Sequence, residues 1–244
     1  MDFDYIVRNV PGQGANLDEF TIDFEGCTCM DECTFNSCSC LRFGQNYDDE
    51  GRLLHAIGST VPLLECHENC SCVTRETTCG NRVVQNGVKF QLEPFYLKNK
   101  GYGLRAGEFI KAGQFIIEYA GEIISRDEAI KRSENKSPND HNYILTIVEH
   151  VAGKERLTHI DAKKKANLAR FINHSCEPNL RPYVVRSDCI VPHFGLFAMR
   201  DIQSGEELTY DYGELSKEQL ISQKGKPCLC GAANCRGILP ASLF

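Results

Sequence analysis

"RFINHSCEPN", Arg170 to Asn179, crowds Asn173, His174, Ser175 and Cys176 into four consecutive positions. An imidazole two residues from a thiol can be read as a base beside its nucleophile, or as two metal ligands. The hydrolytic reading is weak, because nucleophile, base and orienting acid normally come from separate parts of a chain. No orienting acid is evident in the sequence. The metal reading depends on where the other cysteines stand.

There are fourteen cysteines in 244 residues. The start, "MDFDYIVRNV", has an early acid and no basic flank leading into an apolar run, so a secretory signal is not expected. Disulfides are then not expected either, and metal is the better reading. Nine cysteines lie between Cys27 and Cys79, three between Cys228 and Cys235, and Cys176 and Cys189 stand alone. "CTCMDECTFNSCSC" supplies Cys27, Cys29, Cys33, Cys38 and Cys40; "CHENCSCVTRETTC" supplies Cys66, Cys70, Cys72 and Cys79. Structural zinc takes four thiolates in a tetrahedron. Nine sulfurs therefore make either two separate sites with one thiol over, or a three-ion cluster in which three sulfurs bridge. The repeated Cys-x-Cys pairs suit the cluster. His55 and His67 read as surface loop residues. In the tail, "KPCLCGAANCRG" supplies Cys228, Cys230 and Cys235. These form an incomplete tetrahedron whose fourth ligand must come from elsewhere, and Cys176 is a candidate. Cys189 is left over, as a small buried hydrophobe or a spare surface thiol.

Around these cysteines the composition is that of a globular protein, with 42% apolar and 25% charged residues. No run of eighteen apolar residues offers a membrane span. Residues 1–26 read as a polar lead-in with few burial signals, residues 27–84 as a loop-like segment stapled by cysteine, residues 85–213 as a mostly β domain, and residues 214–244 as a small cysteine tail. "KFQLEPFYL", "GQFIIEYAGEII", "NYILTIVEHV" and "FGLFAMRDI" carry the β signal. "SRDE" predicts a helix capped by Ser125, with Glu128 completing a capping box. A second short helix is expected over "AKKKANLARFI", capped by Asp161. The net charge of −6 argues against a broad surface for gripping DNA phosphates, and finger spacing is lacking. It suits a basic peptide partner. "KKK", Lys163 to Lys165, reads as a solvated loop.

"KGYGLRA", Lys100 to Ala106, is a weak motif alone, because paired glycines usually mark a turn. In "GEELTYDYG", Gly205 to Gly213, Tyr210 and Tyr212 point the same way if the backbone is extended. Paired strand aromatics would look the same.

Together these motifs resemble the SET-domain histone-lysine methyltransferases, with pre-SET, SET and post-SET parts in order over roughly residues 20–240. The resemblance implies a mostly β SET fold of small curved sheets and short helices, in which "RFINHS" and "ELTYDY" meet through a pseudoknot. It implies three zinc ions on the nine pre-SET cysteines and one on Cys176, Cys228, Cys230 and Cys235. Lys100, Gly101, Tyr102, Tyr143, Asn173, His174 and Leu229 would hold S-adenosylmethionine, and Arg170 would support that site. Tyr212, Tyr210 and Tyr143 would be catalytic, Tyr212 centrally, with Tyr210 limiting the number of methyls. Trimethylating relatives often carry Phe at the Tyr210 position, which implies mono- and dimethyl products here. Two departures stand out. Tyr102 replaces the usual Trp, and the six residues between Cys72 and Cys79 form a longer spacer than the family usually has, expected to bulge outward.

The implied function is methyl transfer to a lysine of the histone H3 tail, free or in nucleosomes, in the nucleus on chromosomes. The ninth and thirty-sixth lysines are both open. A weakly active SET-fold scaffold and a methyltransferase of non-histone proteins are the alternatives. No sequence-specific DNA contact and no membrane contact are expected. Metal analysis of the purified chain should return about four zinc ions; two or fewer would exclude the shared-sulfur cluster.

Overall fold

The computed structural model describes residues 2–21, 24–55, 61–75, 79–137, 141–151, 153–222 and 225–240. The β-rich runs become strands, as expected from their Ile, Val, Phe and Tyr content. The central sheet runs in the order Asn173–His174, Thr209–Tyr210, Leu180–Arg186, His193–Ala198 and Phe115–Glu118. Leu63–Leu64, from the cysteine-rich segment, adds parallel to Val185–Arg186. A second sheet orders Val10–Pro11, Glu122–Ile124, Lys154–Asp161 and Ile144–Val151. Leu92–Leu97 and Gly101–Ala106 form a separate antiparallel hairpin. Leu104, Ile110, Ile116, Ile160, Leu180 and Leu196 are wholly buried where these layers meet.

The hairpin needs its glycines. Gly101 sits at φ +81°, the left-handed region that glycine enters without steric cost. A Cβ on Gly103 would lie 2.9 Å from the Phe95 ring, so a side chain there would push the strands apart.

The helix after Ser125 spans Arg126–Glu134, and Ser125 Oγ accepts the Glu128 N–H at 3.2 Å. Only half of the capping box forms. The Glu128 carboxylate accepts from Arg132 Nε at 2.8 Å, while the Ser125 N–H donates to Gln13 O. The second expected helix is corrected. Asp161 ends a strand, and its Oδ1 accepts the Lys163 N–H at 2.9 Å. Lys165–Ala166 pairs in parallel with Asp4–Tyr5, which leaves room for a single 3-10 turn, Leu168–Phe171. Asn167 caps that turn through its Oδ1 and the Ala169 N–H. Lys165 is therefore a strand residue, while Lys163 and Lys164 remain exposed.

The amino-terminal stretch, expected as a polar lead-in with few burial signals, is tied into two strand pairings and the core. Besides Asp4–Tyr5, Val10–Pro11 pairs with Glu122–Ile123, and Phe3 and Phe20 pack against the core. The cysteine-rich segment docks through a second apolar cluster of Tyr47, Leu63, Val83, Val84, Phe115, Val185 and Phe197. Buried Glu65 is satisfied there by Tyr47 OH and the Val84 N–H at 2.8 Å each, and by the Gln85 backbone and side-chain amides.

Arg132 ties the helix to the second sheet. Its guanidinium donates to Glu128, to Glu122 at 2.9 Å and to Asp161 at 2.8 Å, and the Asp161 side chain is 3% exposed. Truncating one partner of a buried pair strands the other charge. Arg132→Ala should therefore destabilise the chain by about 2–4 kcal/mol, read as a lower urea midpoint at unchanged m-value. An unchanged midpoint would show that solvent already screens this cluster.

Candidate active site and metal centres

Asn173 pairs in parallel with Thr209, and His174 with Tyr210. The two motifs singled out from sequence thus meet as adjacent strands. Ser175 extends the contact, its N–H donating to Tyr210 O at 3.2 Å while its Oγ accepts the Glu177 N–H. Asn179 closes it from the other side. Its Nδ2 donates to Glu206 Oε1 and Glu207 O, and its Oδ1 accepts the Thr209 N–H, all within 2.9 Å.

This junction gathers aromatic rings. The Tyr210 and Tyr212 rings are 4.8 Å apart, and Tyr212 lies 5.3 Å from the His174 ring. Tyr212 presents one edge to solvent but turns its hydroxyl inward, donating to Ile172 O at 2.9 Å. Buried Tyr119 donates its hydroxyl to Tyr143 O at 2.9 Å and interacts electrostatically with both Tyr143 and Tyr212. Burial pushes the phenols of Tyr119, Tyr210 and Tyr212 above the ordinary range, Tyr212 further through the proximity of Tyr143 and Glu207. These hydroxyls stay protonated near neutral pH and act as hydrogen-bonding groups rather than as phenolates.

Arg170 stacks its guanidinium 4.3 Å from the Phe3 and Tyr143 ring centroids, an arrangement that holds Tyr143 by cation–π attraction. Asn173 Nδ2 donates to Glu207 Oε1 at 3.0 Å and to Tyr102 O at 3.3 Å. Lys100 Nζ reaches Glu207 Oε2 at 3.2 Å. The Tyr102 ring is half exposed against Tyr96 and Phe171. A cavity of about 520 Å³ lies between the hairpin turn and the tail, lined by Lys100, Leu229, Asn99 and Gly231 among others. That size suits a small organic ligand. Lys100 and Leu229 thus share one cavity. Gly101, Tyr102, Asn173, His174, Tyr143 and Arg170 are not among its lining residues; Asn173 bonds to Tyr102 O, and Arg170 stacks on Tyr143.

His174 answers the opening ambiguity. Its Nε2 lies 3.3 Å from Cys176 Sγ, and its Nδ1 is 3.6 Å from Asp211. An acid is therefore present, against the sequence expectation. Even so, Cys176 belongs to a tetrad with Cys228, Cys230 and Cys235, whose sulfurs lie within 4.8 Å of one another. Burial first, and Arg236 next to it, hold the His174 pKa below the ordinary range despite Asp211. His174 Nδ1 accepts the Tyr212 N–H at 3.1 Å, while Nε2 lies 3.3 Å from both Cys176 Sγ and the Arg236 guanidinium, so the ring ties Tyr212 to the tail.

The nine-cysteine segment builds three overlapping tetrads among the described residues: Cys27, Cys40, Cys66 and Cys70; Cys27, Cys33, Cys66 and Cys72; Cys27, Cys29, Cys33 and Cys38. Cys79 lies near Cys66, Cys72 and Cys33 and interacts with them electrostatically. The S···S separations of Cys40–Cys70, Cys27–Cys33 and Cys176–Cys228 are 3.7, 3.9 and 3.9 Å. A zinc–sulfur bond of about 2.3 Å in a tetrahedron requires edges of about 3.8 Å, so both cysteine clusters fit zinc. His67 is buried rather than on a surface loop, and its N–H donates to Cys70 Sγ at 3.2 Å. Half-buried His55 faces Asn46. Cys189 is half-buried against the main core. Of the long spacer, residues 76–78 lie outside the described residues, so the expected bulge there has no structural account. Arg75 before them donates to Cys29 O at 2.6 Å.

Sequence reasoning missed Tyr119, Asn179 and Glu207. Asn179 and Glu207 stood inside quoted motifs without a role. Tyr119, in "EYAGE", read as one more strand aromatic.

The family models for the SET domain and the Pre-SET motif match residues 101–213 and 1–82. Mouse histone-lysine N-methyltransferase SETMAR is 43% identical over 98% of this chain and 81% of its own length. The crystal structure of the human SETMAR methyltransferase domain superposes with a TM-score of 0.86 at 40% identity, covering 98% of this chain and 90% of that one. A KRYPTONITE structure in complex with DNA, an H3(1-15) peptide and SAH gives a TM-score of 0.70 at 30% identity, over 96% of this chain and 47% of that one.

Cys176→Ser should remove one equivalent of zinc and weaken S-adenosylmethionine binding at least about tenfold, because the tail walls the cavity. Elemental analysis and calorimetry read the two effects; full zinc content would exclude Cys176 as a ligand.

Proposed function

This chain belongs to the SET-domain histone-lysine N-methyltransferases, and from that premise we propose that it adds one or two methyl groups to a lysine of the histone H3 tail. Its reaction is S-adenosylmethionine-dependent protein-lysine methylation, and its substrate class is histone. The nucleus and its chromosomes are the proposed place of action. The observation that carries the product reading is the cluster of Tyr119, Tyr210 and Tyr212 at the parallel junction of the two motifs.

The bound cofactor supplies an electrophilic methyl group. Displacement at such a methyl needs alignment more than covalent help. Lys100, Gly101, Tyr102, Tyr143, Asn173, His174 and Leu229 are the proposed contacts of the cofactor. Glu207, which holds both Lys100 and Asn173, fixes the polar edge of that set. Arg170 keeps Tyr143 in place.

The incoming lysine must be neutral, although its reference pKa is about 10.4. Buried Tyr119 and Tyr210 beside the half-exposed Tyr212 make an environment that disfavours the ammonium form by desolvation. Because the tyrosines stay protonated, none of them acts as a phenolate base. The Tyr212 hydroxyl, held by Ile172 O, orients the amine, and backbone carbonyls of the same segment can receive C–H···O contacts from the methyl group. The Tyr210 hydroxyl takes no hydrogen bond among the described residues and is free to hold a water where a bulkier methylated amine would otherwise sit.

Three zinc ions are proposed for the pre-SET cysteines. Cys27, Cys29, Cys33, Cys38, Cys40, Cys66, Cys70, Cys72 and Cys79 would hold them. Cys176, Cys228, Cys230 and Cys235 would hold a fourth, which would tie the segment bearing Cys176 to the tail.

Mass spectrometry of H3 peptides and nucleosomes tests the assignment and locates the lysine. The unmodified enzyme should stop at mono- and dimethyl-lysine, and Tyr210→Phe should move products towards trimethyl-lysine. Tyr212→Phe should lower kcat at least about 100-fold with little change in cofactor affinity. Dominant trimethylation by the unmodified chain would overturn the role given to Tyr210.

A further inference from the structure

Arg236 follows the last tail cysteine, yet its side chain reaches back to both neighbours of Tyr212. Nη2 donates to Asp211 Oδ1 at 2.6 Å, and Nη1 donates to Gly213 O at 2.9 Å. Its backbone N–H donates to Cys176 Sγ at 3.4 Å. One residue therefore touches a ligand of the tail metal site and grips the peptide segment on either side of the proposed catalytic tyrosine. Asp211 Oδ1 also accepts the Gly213 N–H at 3.0 Å, so the guanidinium closes a small ring of bonds around Tyr212. Below that ring, the Tyr212 N–H is bonded to His174.

We infer that Arg236 is a positioning residue that locks Asp211, Tyr212 and Gly213 onto the zinc-organised tail. The two-armed geometry matters. A guanidinium presents donors in a rigid fork and can serve a carboxylate and a carbonyl together, whereas an ammonium is a single point charge. Asp211 is half exposed and follows a two-residue strand; Tyr212 is held by His174 and Ile172 O, and Arg236 is what fastens its two neighbours to the tail. An ordered tail then does two things. It walls the cavity with Leu229, and through Arg236 it holds the tyrosine in place beside Tyr210. The inference rests on the methyltransferase reading for its kinetic consequence but not for its structural one.

The test uses the full chain loaded with zinc, with Arg236→Ala, Arg236→Lys, Asp211→Asn and the double variant Arg236→Ala/Asp211→Asn. Zinc content and S-adenosylmethionine affinity should stay within about twofold of the parent, while kcat on an H3 peptide falls at least about tenfold at nearly constant peptide KM, as expected for lost alignment. Arg236→Lys should recover part of kcat through Asp211 alone. In the double variant the losses should not multiply, because both substitutions break one bond. Hydrogen exchange at the Tyr212 amide should quicken in Arg236→Ala, and this readout needs no turnover. If the parent chain proves inactive on histone, the functional reading fails while exchange still decides the clamp. Loss of the tail zinc in both Arg236 variants, unchanged exchange, or multiplicative losses would each overturn the positioning role.

Discussion

A two-residue parallel contact carries the site. Asn173–His174 can lie alongside Thr209–Tyr210 only if the chain between them makes a crossover, because parallel strands cannot be joined by a tight turn. That crossover is the antiparallel pair Leu180–Arg186 and His193–Ala198, and Leu180 returns to flank Tyr210 from the other side. So short a pairing has few backbone bonds of its own. Asn179 compensates with three side-chain bonds to residues 206–209, and the Ser175 amide adds another. From this arrangement follow the tilted ring contact of Tyr212 with His174, the proximity of Tyr119, and the position of Cys176 beside His174.

Metal solves a different problem. The buried cluster of the pre-SET segment is made of cysteines and Leu41, which is too little apolar surface to order fifty residues. Nine sulfurs held this close would repel as thiolates, and bound zinc would turn that repulsion into cohesion. The apolar face of the segment, Tyr47, Leu63, Val83 and Val84, is spent on docking to Phe115 and Phe197. In the tail the same chemistry would work at smaller scale, since the tetrad of Cys176, Cys228, Cys230 and Cys235 joins the wall of the cavity to the segment after His174.

Much of this was legible before any coordinates. Strand-forming runs, the Ser125 cap and both cysteine groups follow from residue type and spacing alone. The helix expected over residues 162–172 failed for an instructive reason. Its composition is helical, but pairing of Lys165–Ala166 with a strand near the amino terminus outweighs a propensity worth tenths of a kcal/mol per residue. The amino-terminal stretch reads as a polar lead-in because strands of two residues, Asp4–Tyr5 and Val10–Pro11, are too short to leave a periodic pattern. Tyr119 could not be distinguished from Tyr96 by sequence, although one is buried beside Tyr143 and the other is exposed.

The linear order of residues was sufficient for the family, the fold class and the ligand types. Thiolate number, glycine position and strand-forming residues are local properties, each readable where it stands. Partnership was not. Which sulfurs share an ion, which carbonyl holds the Tyr212 hydroxyl and which residue grips Asp211 depend on contacts between segments separated by tens of residues. Those contacts are set by the crossover and by packing against a common core, and packing selects among geometries that composition leaves equal.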